Sequence, residues 1–130
     1  MKKTKADLVR GWILKAESDL KDADRTIHSD GPFDTACFHC QQAAEKLLKA
    51  FIAWNDLTIP KTHDIEELVS MIVKIDVDFK HLEIEAEKLS SYGVEVRYDF
   101  EFWPDREIAQ DAIEQARKIK ELVLTKLVGL

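Results

Sequence analysis

Apolar residues recur at steps of three and four along the first part of the chain. Between Lys5 and Ser29 they form one regular series: Val9, Ile13, Ala16, Leu20, Ala23 and Ile27. This spacing predicts a helix with a single buried stripe. The run from Ser29 to Pro32 then places Gly next to Pro, which ends the helix, and Asp34 is expected to cap the next one.

A second helix is predicted from Thr35 to about Asn55, and its two faces differ. The apolar face carries Ala36, Cys40, Ala43, Leu47, Ala50, Phe51 and Trp54. Its alanines recur every seven residues, so a neighbouring helix can approach closely. The opposite face is polar and carries Gln41, Gln42, Glu45 and Lys49. Glu45 precedes Lys49 by four residues, which favours an ion pair along the helix.

The remaining apolar stripes predict three further helices. Pro60 blocks continuation of the second helix, and Thr62 or Asp64 is expected to start a shorter one. The stripe of that third helix is Ile65, Leu68, Ile72 and Ile75. A fourth, at about Asp78 to Ser91, carries Phe79, Leu82, Ala86 and Leu89. The last opens after Pro104, with Asp105 as its cap, and carries Ile108, Ala112, Ala116, Ile119, Val123 and Leu127.

These elements predict an all-α fold in a single domain, residues 1–130. Short connections force sequential helices to lie antiparallel. We therefore expect an antiparallel bundle of about five helices around a four-helix up-down core, with an extended, aromatic-rich loop before the last helix.

That loop is the segment Val94–Trp103, where the helical pattern breaks. Its residues alternate, with Val94, Val96, Tyr98, Phe100 and Phe102 on one side and Glu95, Arg97, Asp99 and Glu101 on the other. A period of two predicts an extended backbone, and a lone strand in a helical domain has no sheet to join. The surplus of aromatic residues favours a dimer contact or a partner surface. A loop folded over the end of the bundle explains the pattern equally well.

Composition narrows the class of protein. The 130 residues include 25 acidic and 19 basic side chains, a net charge of -6, and 45% hydrophobic residues. No window is apolar enough to span a membrane, and the N-terminus has no apolar signal segment, so we expect a cytoplasmic protein without membrane contact. The acidic balance also argues against sequence-independent binding along nucleic acid, which depends on cationic contacts to phosphates.

Cys37 and Cys40 form a C-x-x-C, the spacing of a redox pair or half a zinc site. No second C-x-x-C or His pair accompanies it, and both thiols fall on the apolar side of the second helix. We expect two small buried core residues, and we predict neither a metal nor a cofactor.

Three stretches of the chain together resemble the HEPN domain (higher eukaryotes and prokaryotes nucleotide-binding). They are the run from Thr35 to Ala50, which contains Phe-His-x-Gln-Gln-Ala-Ala-Glu-Lys, the Pro60–Asp64 segment, and Arg97-Tyr98. Trp12, Lys15, Ala16, Asp19 and Leu20 in the first helix fit the same pattern. The resemblance covers nearly the whole chain.

The resemblance implies an all-helical bundle, commonly a homodimer and often encoded beside a small nucleotidyltransferase as a toxin-antitoxin-like pair. Many members of the family are metal-independent ribonucleases that carry an Arg followed, after four to six residues, by a His. Arg97 is present here, but the three positions where that His could fall are Phe102, Trp103 and Pro104. None of these side chains transfers protons at neutral pH.

The sequence therefore favours a non-catalytic or degenerate binding module, with a nucleotidyltransferase partner and a nucleotide or RNA contact. A ribonuclease that uses Arg97 with a non-standard proton-transfer residue, His39 or Tyr98, is the alternative. Proposed ligand-contacting residues are Arg97, Tyr98, His39, Gln42 and Lys46.

Each of these candidates also has a structural explanation. His39, Gln42 and Lys46 share one border of the second helix, where they could line a groove or be satisfied within the bundle. Arg97 could bind a phosphate or pair internally with Glu95, Asp99 or Glu101. His63-Asp64 could be a catalytic pair, but it is explained more simply as a loop residue followed by a helix cap.

Overall fold

The structure, a computed structural model, describes residues 2–130. Over these residues it contains six α-helices and one 3-10 helix: α1 Lys5–Ile27, α2 Asp34–Trp54, α3 Ile65–Val73, the 3-10 helix Val77–Leu82, α4 Glu83–Ser90, α5 Tyr92–Tyr98 and α6 Arg106–Lys126. The predicted all-α fold class is confirmed. No helix within residues 2–130 combines the length and apolar character needed to cross a membrane.

α1 begins at a reciprocal cap. The Thr4 hydroxyl accepts from the Asp7 backbone N–H, and the Asp7 carboxylate accepts from the Thr4 backbone N–H, both at 3.1 Å. This pair satisfies two backbone donors that a helix start leaves without partners. All six residues of the predicted stripe are buried in α1.

α2 is the central helix and packs against α1, α3, α4, α5 and α6. Its apolar face is buried as predicted, apart from Trp54, which is partly buried. The polar face is buried as well, with Gln41 1% exposed and both Glu45 and Lys49 6% exposed. The polar face is buried because α3 and α5 pack against α2. Asp34 does not cap α2, since the cap position is Phe33 and Asp34 lies in the first turn.

Asp64 caps α3, as predicted, by accepting from the backbone N–H groups of Glu66 and Glu67. The fourth predicted helix divides into the 3-10 helix and α4, which bury the four expected apolar residues. Two other expected core positions are wrong. Ile75 is 48% exposed because α3 ends at Val73, and Ile108 is 40% exposed because the buried stripe of α6 starts at Ala109.

The prediction of an extended segment is wrong over Val94–Tyr98, which belong to the helix α5, Tyr92–Tyr98. Tertiary contacts override the period-two pattern here. Gly93 lies against the Gln41 side chain of α2, and the Tyr92 ring packs on the Phe102 ring with centroids 5.8 Å apart. Between α5 and α6 only residues 99–105 lie outside helices, so the aromatic connection is shorter than expected.

The start of α6 is joined to the end of α1. Asp105 caps α6 by accepting from the Ile108 N–H at 2.9 Å. The next residue, Arg106, donates from Nε to the Ile27 carbonyl at 2.9 Å and from Nη2 to the Ser29 carbonyl at 2.7 Å. Its guanidinium also lies over the Phe33 ring. Arg106 thus satisfies carbonyl groups that the end of α1 leaves open.

Two helical glycines provide a matched test of the contact between α2 and α5. A Cβ at Gly11 meets nothing within 4 Å, whereas a Cβ at Gly93 lies 3.3 Å from the amide carbon of Gln41. We expect Gly11→Ala to raise the free energy of unfolding by about 0.5–1 kcal/mol, the usual gain from replacing a helical glycine. Gly93→Ala should lose that gain to the close contact. Urea denaturation measures both, and equal gains would contradict the packing.

Candidate functional site

A cleft of about 480 Å³ opens between the start of α3 and the helices α4 and α5. We call it the Arg97 cleft. Its charged and aromatic lining residues, together with His63, are Asp64, Glu66, Glu87, Arg97 and Tyr98, and Ser90 and Ser91 are also polar. Arg97 and Tyr98 are the two predicted site residues that the structure brings together here.

Arg97 is held in place without being neutralised. Its Nε donates to the Gly93 carbonyl at 3.0 Å, and its guanidinium carbon lies 5.4 Å from the centre of the Phe38 ring. Among residues 2–130, no carboxylate lies within 4.0 Å of its nitrogens. The expected internal ion pair with Glu95, Asp99 or Glu101 is therefore wrong. The reason is that Arg97 lies on the helix α5, and a helix does not place alternate residues on one side as an extended strand does.

The close approach of α5 to α2 fixes the position of Arg97. Gly93 allows the Gln41 amide to lie against the α5 backbone, where a larger residue would be crowded. The Gln41 amide in turn donates to the His63 carbonyl at 2.9 Å and accepts from the Gln42 side chain at 2.7 Å. One buried glutamine therefore links α2, α5 and the loop that enters α3.

Behind the cleft, Glu45 contacts two side chains, Lys49 and His63. The Lys49 ammonium donates to Glu45 Oε2 at 3.1 Å, which confirms the ion pair that the four-residue spacing favours. His63 Nδ1 lies 3.0 Å from Glu45 Oε1 and 3.2 Å from Oε2. The contact with His63 was missed by the sequence analysis, which treated His63 as a loop residue.

Three carboxylates share the cleft with Arg97. The Asp64 carboxylate is occupied, since Oδ1 accepts from the Glu66 N–H at 2.9 Å and from the Ser90 hydroxyl at 3.0 Å. The Glu66 and Glu87 side chains are exposed at the edge. The cleft thus offers one cation in an acidic setting, which suits a single anionic group better than a long polyanion.

The other predicted site residues face a different neighbour. His39 Nδ1 is hydrogen bonded to Asp19 Oδ1 at 2.9 Å, and Asp22 Oδ2 lies 2.9 Å from His39 Nε2. The Lys46 ammonium donates to Asp19 Oδ2. Two of the three residues on this border of α2 therefore bind α1, and the third, Gln42, binds Gln41. None of the three lines the Arg97 cleft.

Cys37 and Cys40 are free thiols with no exposed surface, so the prediction of buried core residues is confirmed. Burial raises the pKa of the Cys37 thiol to about 12, and the nearby negative charges of Asp34 and Glu95 add to the effect. Burial likewise raises the pKa of Cys40. Both therefore remain protonated at neutral pH. Within residues 2–130, no three His, Cys, Asp or Glu side chains are grouped to hold a metal ion.

A patch of large hydrophobic side chains borders the cleft. We call it the aromatic surface; it consists of Val94 and Tyr98 on α5 and of Phe100 and Trp103 in the following turn. Their exposed fractions are 62%, 70%, 88% and 66%. The Trp103 indole N–H donates to the Phe100 carbonyl at 3.0 Å, which fixes the turn. Large exposed aromatic residues near an arginine are typical of interface cores.

The fold and this cleft define the class of protein: a small all-helical bundle domain with an arginine free of carboxylate partners at its edge. The family model described as HEPN domain matches residues 9–127. The chain belongs to the HEPN domain family.

Two solved structures are similar over nearly their whole length. The crystal structure of TT1696 from Thermus thermophilus is 29% identical, covers 92% of this chain and 98% of that one, and superposes with a TM-score of 0.80. The crystal structure of ST0689, an archaeal HEPN homologue, is 25% identical, covers 98% and 99%, and has a TM-score of 0.73. Among curated proteins, none matches the chain.

The contacts of Asp19 predict a difference between two neighbouring aspartates. The Asp19 side chain is 12% exposed and serves His39 and Lys46, whereas Asp22 is 49% exposed and serves His39 and Arg25. We expect Asp19→Asn to lower the free energy of unfolding by about 1.5–3 kcal/mol, the range for hydrogen bonds to charged groups. Asp22→Asn, the matched control, should cost under about 1 kcal/mol. Thermal and urea denaturation measure both, and similar losses would contradict the assignment.

Proposed function

We propose that this HEPN-domain protein is a cytoplasmic, dimeric binding module whose Arg97 cleft receives a phosphate group of a nucleotide or RNA. Its partner is a minimal nucleotidyltransferase, with which it forms a toxin-antitoxin-like pair. The observation that carries the proposal is the guanidinium of Arg97, which has no carboxylate partner among residues 2–130, in a chain with a net charge of -6.

The geometry of Arg97 supports an anion contact. The Nε contact to Gly93 and the Phe38 ring hold the guanidinium, while its terminal N–H groups have no carboxylate partner among residues 2–130. Two parallel N–H groups match the spacing of phosphate oxygens. Because the side chain is already ordered, little of its rotamer entropy is lost on binding. Tyr98, at the rim of the same cleft, supplies a ring on which a base can stack.

The acidic neighbours restrict the ligand. Asp64, Glu66 and Glu87 oppose phosphates that do not reach Arg97. The proposal therefore concerns one phosphate placed at Arg97 and not a tract of backbone. His39, Gln42 and Lys46, first considered as ligand contacts, are assigned here to the seam between α1 and α2, which supports Phe38 behind the guanidinium.

The aromatic surface supports the dimer. Four large hydrophobic residues lie within ten positions of the sequence, next to Arg97 and the exposed acidic residues Asp99 and Glu101. An apolar centre with a polar rim is the usual anatomy of a protein interface. In this proposal, a second copy of the chain binds the aromatic surface. The nucleotidyltransferase binds at a separate site. Membership of the HEPN family is the observation that supports this partner.

The phosphate contact predicts opposite effects of two substitutions in the cleft. With a fluorescent RNA oligonucleotide carrying 2'-O-methyl groups as the probe, Arg97→Ala should weaken binding by about tenfold or more, which corresponds to about 1.4 kcal/mol. Glu87→Gln removes a repelling charge and should tighten binding by about two- to threefold, an effect that added salt reduces.

Fluorescence anisotropy measures both affinities, and Arg10→Ala is the control because Arg10 is exposed on α1 and pairs only with Asp7. Equal binding by the wild type and Arg97→Ala would refute the phosphate contact.

The aromatic surface predicts a loss of dimers on substitution. Phe100→Ser combined with Trp103→Ser should convert a dimer into a monomer, because the centre of the interface loses its apolar area. Light scattering coupled to size-exclusion chromatography measures the mass. The control is Leu14→Ser, 65% exposed on α1, a helix that does not pack against α5.

A monomeric wild type would contradict this assignment. In the same buffer, co-purification with a minimal nucleotidyltransferase tests the proposed partner, and the monomeric variant should still retain it.

A further inference from the structure

We propose that a groove between α1 and α6 is a docking site for a helical segment of a partner protein that carries an excess of acidic side chains. We call it the α1–α6 groove; its charged lining residues are Glu17, Lys21, Asp24 and Arg25 on α1 and Arg117 and Lys120 on α6. None of them lines the Arg97 cleft or belongs to the aromatic surface. The inference therefore goes beyond the proposed function and does not rest on it.

The two walls of the groove are antiparallel helices. Arg117 Nη2 lies 3.6 Å from Asp24 Oδ1, and further along α6 Lys120 Nζ lies 3.8 Å from Glu17 Oε1. The contacts on α1 thus move back along the chain as α6 advances. The groove encloses about 320 Å³, which is room for a few side chains, and Leu20, 7% exposed, adds an apolar contact between the walls.

The charge of the groove is opposite to that of the Arg97 cleft. Four basic side chains line the groove with two carboxylates, whereas a single arginine lines the cleft with three carboxylates. The chain as a whole has a net charge of -6, so the groove is a positive region on an acidic molecule. Complementary charge steers the encounter of two proteins and fixes their register. The groove therefore favours a partner with an acidic excess.

The basic side chains of the groove are available to a partner. Lys21 is exposed and has no carboxylate within 4.0 Å among residues 2–130. Arg25 lies 3.5 Å from Asp22, and the Arg25 and Arg117 side chains are 74% and 56% exposed. Exposed pairs at these separations contribute little and lack the geometry of a good hydrogen bond. An incoming carboxylate can therefore bind these cations without breaking a strong internal contact.

The spacing of the cations matches the spacing of side chains on a helix. Lys21 and Arg25 are four residues apart on α1, and Arg117 and Lys120 are three apart on α6. Helical residues at these intervals have Cβ atoms about 5–6 Å apart. Acidic residues three or four apart on a partner helix present their carboxylates at the same intervals. One such helix can therefore bind two cations of one wall at once.

Glu17 and Asp24 restrict the class of partner. A nucleic acid carries only negative charges along its backbone, so its phosphates would face these carboxylates without compensation. A polypeptide has side chains of both signs and can place a lysine or arginine opposite each carboxylate. A second copy docked through the same groove across a two-fold axis would place cations against cations. The groove thus favours a helix of mixed charge in which acidic residues predominate.

The test uses the full chain and two synthetic helical peptides of identical composition. The patterned peptide carries Glu pairs four residues apart, with Leu and Lys on the same face, and the scrambled peptide distributes its Glu residues around the helix. Backbone amide NMR locates the binding site, and titration gives the affinity. We expect the patterned peptide to shift the amides of residues 17–25 and 117–120. It should bind about tenfold more tightly than the scrambled peptide, an advantage that added salt reduces.

The diagnostic variant is Lys21→Glu, because it reverses a charge of the groove without removing an ion pair within residues 2–130. It should weaken binding of the patterned peptide by about tenfold, and a peptide with Lys in place of one Glu pair should regain affinity for this variant. The matched control is Lys15→Glu, which makes the same change at an exposed position of α1 outside the groove. The control should bind the patterned peptide as the wild type does.

Four results would overturn the inference: no binding of the patterned peptide, equal affinities for the two peptides, amide shifts outside the groove, or unchanged binding by Lys21→Glu. A charge-reversed peptide that fails to regain affinity also overturns it. If the 2'-O-methyl RNA oligonucleotide shifts the same amides, the groove is a nucleic-acid site instead. If Lys21→Glu lowers the mass measured by light scattering, a second copy occupies the groove instead. None of these results depends on Arg97, so the proposed function is judged separately.

Discussion

A charged group buried on the central helix constrains the surrounding structure. Glu45 and Lys49 are both 6% exposed, and an ion pair at that depth is tolerated only when its remaining hydrogen-bonding capacity is met. His63 contributes to meeting it through its contact with Glu45, and Gln41 donates to the His63 carbonyl, so both contacts hold the loop before α3 on α2. The polar face of α2 therefore acts as a second packing surface. It organises one side of the bundle through hydrogen bonds, while the apolar face organises the other through burial.

The cleft follows from this arrangement. With the loop fixed on α2, α5 can approach only where a glycine allows it, and Gly93 is the residue that meets Gln41. One turn later, Arg97 emerges beside Phe38 with its Nε on the Gly93 carbonyl. His63 and Arg97 are separated by more than thirty residues of sequence. They share one cleft because Gln41 of α2 contacts both the loop that carries His63 and the helix that carries Arg97.

The sequence predicted the structure correctly where the local pattern determines it. It failed where contacts with other elements of the fold determine it. The stripe of α1, the cap at Asp64 and the burial of the two cysteines were predicted, since each depends on spacing or on one neighbouring turn. The helix at Tyr92–Tyr98 was not, because Gly93 and Tyr92 are stabilised by residues of other elements. Arg97 was identified as a candidate. Its lack of a carboxylate partner among residues 2–130 could not be predicted, because it depends on α5 forming where an extended segment was expected. The contact of His63 with Glu45 depends on the path of a loop, which the sequence does not indicate.

The bonds of Arg106 have a further consequence for the turn that precedes α6. Residues 99–105 are attached to α5 at one end and, through Arg106, to the last carbonyls of α1 at the other. A segment held at both ends has few conformations to give up. A molecule that docks on Phe100 and Trp103 therefore contacts a surface whose conformational entropy was already lost during folding. Even a small interface at this turn can then have a slow dissociation rate, because little of its contact energy is spent on restraining the chain.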